Sequence, residues 1–230
     1  MSCTSSATLE RLSASMYLSR MYEAMTSHVL SAAFRERGHR TLTVDWSEAL
    51  ESDWNADIGT LTADEIVSRF GSPDVVWASP DCTTYSVMCI SRHRDGTMPK
   101  TEYAARCDAV NAHVCDLIRQ LKPKVWFIEN PVGMLRKMPF VLDLLRDTGG
   151  HRYTVTYCQY GERRQKPTDI FTNHPDPQFR PPCRRGAPCH DAAPRGSRTG
   201  TQGLKGKAVR AKLPDELCRH IVDICETIYS

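Results

Sequence analysis

The sequence predicts an α/β fold in which a parallel sheet is covered by helices on both faces. Two short apolar runs, 74–78 (Asp-Val-Val-Trp-Ala) and 124–128 (Lys-Val-Trp-Phe-Ile), lie between turn signals and read as strands buried on both sides. Stretches with apolar residues at helical spacing separate the strands, and such alternation implies βαβ units. Composition agrees: 230 residues at 40% hydrophobic and 25% charged suit one globular domain with a small appendage.

Residues 1–15, rich in Ser and Thr, read as a frayed N-terminus. Residues 17–37 are helix-compatible and end at Gly38, a good C-terminal glycine. Thr41–Asp45 alternates as a short strand, and a helix over 62–70 is closed by Gly-Ser-Pro. After the strand 74–78, residues 79–100 form a long polar loop. Residues 101–121 make a helix, with Ala104, Val110, Val114, Leu117, Ile118 and Leu121 at its spacing. The strand 124–128 precedes a helix over 134–146, a strand over 153–157 and a shorter strand over 170–172. Residues 214–228 form an amphipathic helix with Pro at its start and Asp215-Glu216 in its first turn.

Charge is unevenly placed. From 180 to 212 nine basic residues (Arg180, Arg184, Arg185, Arg195, Arg198, Lys205, Lys207, Arg210 and Lys212) meet one acid, Asp191. The whole chain carries only +3, so the remainder is mildly acidic. Four prolines and five glycines in the same stretch make it loop. A basic, Gly-rich loop on an acidic body is the footprint of a phosphate-backbone binder, and Arg195, Arg198, Lys205 and Lys207 are its expected contacts. A solvated linker is the alternative. The chain thus divides into a flexible terminus (1–15), an α/β domain (16–172), a basic loop-rich segment suited to nucleic-acid contact (173–212) and a C-terminal helix packed on the α/β domain (213–230).

No apolar run approaches the ~18 residues of a membrane helix. The N-terminus lacks the features of a secretory signal, so the ten cysteines read as reduced thiols in a cytosolic compartment. Cys183, Cys189 and His190 are zinc's preferred ligand types, but a structural site needs four. Cys158 supplies the fourth if the fold brings it near; free loop cysteines are the alternative.

Both buried strands end in unusual residues. The first runs into Ser79-Pro80-Asp81-Cys82 and the second into Glu129-Asn130-Pro131. In a parallel sheet these project from one edge, where α/β folds bind ligands. Cys82 lies past a proline in a polar loop rather than within the strand, so it is a candidate nucleophile more than a core residue. Glu129 directly after Trp-Phe-Ile is costly to bury without a partner.

Ser79-Pro80-Asp81-Cys82 resembles the Pro-Cys loop of DNA cytosine-5 methyltransferases, and Glu129-Asn130-Pro131 resembles their Glu-Asn-Val. The chain is also similar to the short phage-type methylases of that family. The likeness there lies in Phe34-Arg-Glu-Arg-Gly-His39, Val44-Asp45-Trp46, Asp57-Ile58, Tyr160-Gly161, Lys166-Pro167-Thr168 and Thr199-Gly-Thr-Gln-Gly203. The resemblance implies a Rossmann-like class I methyltransferase sheet and methyl transfer from S-adenosylmethionine to C5 of a flipped cytosine in DNA. By that resemblance Cys82 adds to C6, Glu129 hydrogen-bonds the ring edge, and Arg164 or Lys166 supports the adduct. Asp45, Trp46, Asp57 and Pro80 would hold the cofactor, and the loop with Arg92, His93 and Arg94 would close over the base. A phage-type enzyme would work in its host's cytoplasm.

One family feature is missing: no glycine precedes Gly38, and Glu23–His28 stands where the Gly-rich cofactor turn is expected. Three readings follow: an active cytosine-5 methyltransferase, a cofactor-impaired homologue that binds DNA as a decoy or partner, and a cytosine-deaminating enzyme on the same fold. Neither the recognition sequence nor the oligomeric state is written in the sequence.

Overall fold

A computed structural model describes residues 15–19, 26–47, 52–184, 186–192 and 207–229. Its centre is a seven-stranded sheet. The strands are β1 (Ser15–Ser19), β2 (Thr41–Asp45), β3 (Trp54–Asn55), β4 (Val75–Ser79), β5 (Val125–Pro131), β6 (His151–Thr156) and β7 (Pro167–Thr172). Their order is β3-β2-β1-β4-β5-β7-β6. The first five run parallel, whereas β7 is antiparallel to both β5 and β6, so the sheet is mixed rather than wholly parallel.

Helices cover both faces because each buried strand presents alternate side chains to opposite sides. Val76 and Ala78 of β4, with Trp126 and Ile128 of β5, face one cluster. It is completed by α2 (Ala63–Phe70), α3 (Glu102–Leu121) and α4 (Pro139–Thr148). Val75, Trp77, Val125 and Phe127 face the other, with Leu30 and Phe34 of α1 (Thr26–Glu36) and Leu217, Ile221 and Val222 of α5 (Asp215–Glu226). Caps fix the helix starts: Thr62 and Glu65 form a reciprocal capping box on α2, and Thr101 caps α3. Gly38, at φ 82, turns the chain after α1.

Several expectations are corrected. The helix expected over 17–37 is a strand followed by a shorter helix. Ser15–Ser19 pairs on both edges, with β2 and β4, and two hydrogen-bonded ladders outweigh the helical spacing. The second buried strand runs on to Pro131, so Glu129 lies within it, opposite Ile170. Pro139 splits the helix expected over 134–146 into a 3-10 turn and α4. The loop 79–100 contains a helical turn (Ile90–His93) and a two-stranded hairpin. Within the basic segment, Lys207–Ala211 is helical. The expected frayed terminus, 1–15, lies almost wholly outside the described residues. No helix among the described residues is long and apolar enough to cross a membrane.

Candidate active site

Strands β4 and β5 are parallel neighbours, with Ala78 in register with Ile128. The Cys82 loop and the Glu129 segment therefore leave the same edge of the sheet. Asn130 Nδ2 donates to the Pro80 carbonyl at 3.2 Å, joining the two directly. The Cys82 carbonyl accepts from the backbone N–H groups of Tyr85 and Ser86, which winds 82–86 into a tight turn. Tyr85 is fully buried; its hydroxyl donates to Asp108 at 2.7 Å and accepts from Asn111 at 2.8 Å. Cys82 itself is partly buried and packs against Ala211.

Glu129 is buried, 4% exposed. Tyr157, which opens the 3-10 turn after β6, donates its hydroxyl to Glu129 Oε1 at 3.0 Å, and Lys166 Nζ donates to that same hydroxyl oxygen at 3.3 Å. Burial pushes the Glu129 carboxyl up from its ordinary pKa, with Lys166 and the Tyr157 hydrogen bond pulling the other way. Burial pulls the Lys166 ammonium down, opposed first by Glu129 and also by Cys82. Lys166 as a residue is only partly buried, yet its ammonium end is desolvated. Its backbone sits at φ 27, in the left-handed region and just before Pro167. Such strain costs of order 1–3 kcal/mol and persists only where the surroundings enforce it. Arg164 is differently engaged: it donates to the carbonyls of Val209, Arg210 and Lys212 and pairs with Glu162 at 3.0 Å. Its guanidinium anchors the chain end that contacts Cys82.

Beside this edge lies a cleft of about 340 Å³ lined by Trp46, Asp57, Asp81, Tyr103, Arg106 and Asn111, among others. That volume is within the range of small-molecule sites. Asp81, the residue before Cys82, lines the cleft; it accepts from the Tyr103 hydroxyl and from Thr83 N. Trp46 and Asp57 thus line one cleft. Asp45 is buried behind it, accepting from Ser47 N at 2.8 Å. Pro80 faces a small apolar void with Ile128 and Leu135 instead. Tyr103, Arg106 and Asn111 were not singled out in the sequence, where they read as ordinary positions of a helix. The turn between β1 and α1 spans 20–25, outside the described residues, and Thr26–His28 already begin α1.

No family model matches the chain. A protein of Frog virus 3 (isolate Goorha) named "Probable DNA (cytosine-5)-methyltransferase" is 26% identical over 221 residues, covering 87% of this chain and 96% of that protein. Over nearly its whole length the chain is thus similar to a protein named a DNA cytosine-5 methyltransferase. Solved structures support the fold. A protein described as a prophage-encoded DNA modification methyltransferase of E. coli aligns at TM-score 0.51 and 14% identity, over 70% of this chain and 46% of that one. The methyltransferase EhMeth of Entamoeba histolytica aligns at TM-score 0.50 and 12% identity, over 70% and 52%. The chain thus spans about half the length of these solved proteins.

The expected nucleic-acid residues fall in different places. Arg92 is exposed on the loop. Arg94 is buried instead, with its guanidinium on Asp108 at 2.6 Å, the Thr84 carbonyl at 2.8 Å and the Tyr85 ring. It fastens the loop to α3 and presents no charge to solvent. Arg195, Arg198 and Lys205 lie outside the described residues, and Lys207 opens the short helix Lys207–Ala211. Arg180 is tied to Glu216 and the Gln159 carbonyl, both at 2.6 Å. Cys183, Cys189 and His190 converge, and Cys158 joins them.

Proposed function

We propose that this protein is a DNA cytosine-5 methyltransferase acting by transient covalent attack of Cys82 on C6 of a flipped cytosine. The observation that carries the reading is the juxtaposition at one sheet edge: the Cys82 loop hydrogen-bonded to the strand of Glu129, with Lys166 and Glu129 both hydrogen-bonded to the Tyr157 hydroxyl. The relationship to a protein named for this activity, over nearly its whole length, supports it.

Each group has a task that its surroundings suit. Cys82 supplies the thiolate that adds to C6. Glu129, with its pKa raised by burial, holds a proton to share with N3 of the ring as negative charge builds there. Tyr157 fixes the carboxyl in place. Of the two basic candidates Lys166 is the better placed, because the Arg164 guanidinium is saturated by backbone carbonyls. Addition of sulfur to C6 makes C5 a nucleophile, and loss of the C5 proton with release of sulfur restores the ring.

S-adenosylmethionine, when bound, supplies the methyl group. The cleft beside Cys82 fits such a molecule: an aromatic wall at Trp46, a carboxylate at Asp57 and an amide at Asn111 suit a nucleoside, and Asp45 backs the strand end. The substrate is DNA, and the basic residues after Arg180 supply backbone contact on the side where Ala211 meets Cys82. A cytoplasmic location agrees with this reading.

Bisulfite sequencing of DNA from cells expressing the protein, beside Cys82→Ser, tests it. Protected cytosines that vanish in the variant are expected, together with covalent trapping on 5-fluorocytosine DNA by the parent only. Unprotected DNA, C-to-T changes before bisulfite treatment, or trapping retained by the Ser variant would overturn the reading.

A further inference from the structure

We infer that Cys158, Cys183, Cys189 and His190 form a structural zinc site that fastens the start of the basic segment to the catalytic domain. Their ligand atoms all lie within 4.8 Å of one another. The Sγ atoms of Cys158 and Cys183 are 3.1 Å apart and those of Cys189 and Cys158 are 3.6 Å apart. His190 Nδ1 lies 3.6 Å from Cys183 Sγ and 3.5 Å from Cys189 Sγ. Zinc bonds of about 2.3 Å to sulfur and about 2.0–2.1 Å to nitrogen give tetrahedral edges of about 3.8 Å and about 3.6 Å. Three of these four separations sit within a few tenths of an ångström of those edges.

The surroundings are built for charged sulfur. Gln165 Nε2 points at Cys183 Sγ at 3.3 Å and Gln159 Nε2 at Cys189 Sγ at 3.4 Å, as outer-shell amides do around metal thiolates. The Cys183 backbone N–H donates to Thr156 Oγ1, and Arg163 holds Asp191, the residue after His190, through two bonds of 2.6 and 2.7 Å. All four positions carry a soft or imidazole ligand, the closed set expected of a structural centre. Binding would replace the three thiol protons, which leave to solvent, by three bonds to zinc and add one from the imidazole. No electron moves.

The site has a task in the fold. Cys158 follows Tyr157, whose hydroxyl holds Glu129, while the other three ligands belong to the segment that leads into the basic run. Zinc would tie the two together across about 25 residues of chain, where short loops alone offer little apolar burial. The inference stands apart from the methyl-transfer reading, since metal content is measured without turnover.

The experiment is elemental analysis of the full-length protein purified without chelator, followed by cobalt exchange. About one zinc per chain is expected, and cobalt should give a thiolate charge-transfer band with the intense visible bands of tetrahedral coordination. Cys189→Ser and His190→Ala, both at accessible positions, should fold by circular dichroism and lose most of the metal, while Cys89→Ser, outside the cluster, should keep it. Should the variants fail to fold, chelation of the parent protein should unmask Cys183 and Cys189 to a thiol reagent. Metal-free protein that takes up no added zinc, metal content indifferent to both variants, or a Cys158–Cys183 disulfide in protein isolated without oxidant would each overturn the site.

Discussion

Asn130 Nδ2 donates to the Pro80 carbonyl across 3.2 Å, so the strand bearing Glu129 directly holds the loop bearing Cys82. Asn130 is 1% exposed, and its Oδ1 has no hydrogen-bond partner among the described residues. Asn130→Ala should therefore loosen the loop without opening the sheet. Turnover is expected to fall about 10²-fold, as a misplacement of about 1 Å can cost that much. Stability should fall by about 1–3 kcal/mol for the stranded carbonyl. Steady-state kinetics with urea unfolding check this, and a changed cofactor KM with unchanged kcat would contradict it.

Lys166→Met gives a pH signature. The pKa of Glu129 is raised by burial and held in check by Lys166, so removing the ammonium raises it further. A raised folded-state value contributes stability that is complete below the unfolded value of 4.5 and is lost as pH climbs through the folded one. The variant should lose stability as pH rises above 4.5, with the loss continuing to higher pH than in the parent. Parallel stability profiles for the two proteins would show that the groups are not coupled.

Gly133 is required for space rather than for a turn. A Cβ there would lie 2.2 Å from the Tyr85 carbonyl oxygen, a backbone atom that also accepts from Met134 N. Gly133→Ala should cost about 1–3 kcal/mol and shift the 82–86 turn with it. A lower melting temperature and an altered rate of Cys82 alkylation are expected together.

DNA binding should depend steeply on salt. If about six phosphates are neutralised, affinity drops roughly 10³-fold between about 50 and about 200 mM salt. Replacing Arg195, Arg198, Lys205 and Lys207 by Glu should flatten the slope; an unchanged slope places the DNA elsewhere.

The meeting of Cys82 and Glu129 at one sheet edge was legible because their two strands are short, apolar and bounded by turns, so topology places them. Partnerships between distant residues were hidden. Tyr157 looks like the last residue of an ordinary strand, and only folding brings it to Glu129. Arg94 reads as a loop cation because nothing local shows that Asp108 waits on α3. The reversed strand β7 escaped for a similar reason, since β-branched residues carry no direction. Ser15–Ser19 misled because apolar residues at helical spacing continue from it into a true helix. Cys158, the fourth member of the Cys/His cluster, was placed only conditionally, and the fold brings it there.

Arg164 reaches three carbonyls between Val209 and Lys212, while Leu217, Ile221 and Val222 of α5 fill the face of the sheet behind it. Residues 207–229 thus recognise the rest of the molecule through their own backbone and an apolar stripe. Supplied at the end of a separate peptide that starts at 193 and so keeps the basic residues, they would dock onto a chain ending at 192 and rebuild the wall against Cys82. Modification of DNA could then be made conditional on two proteins meeting, with the break falling outside every element that holds the reactive groups.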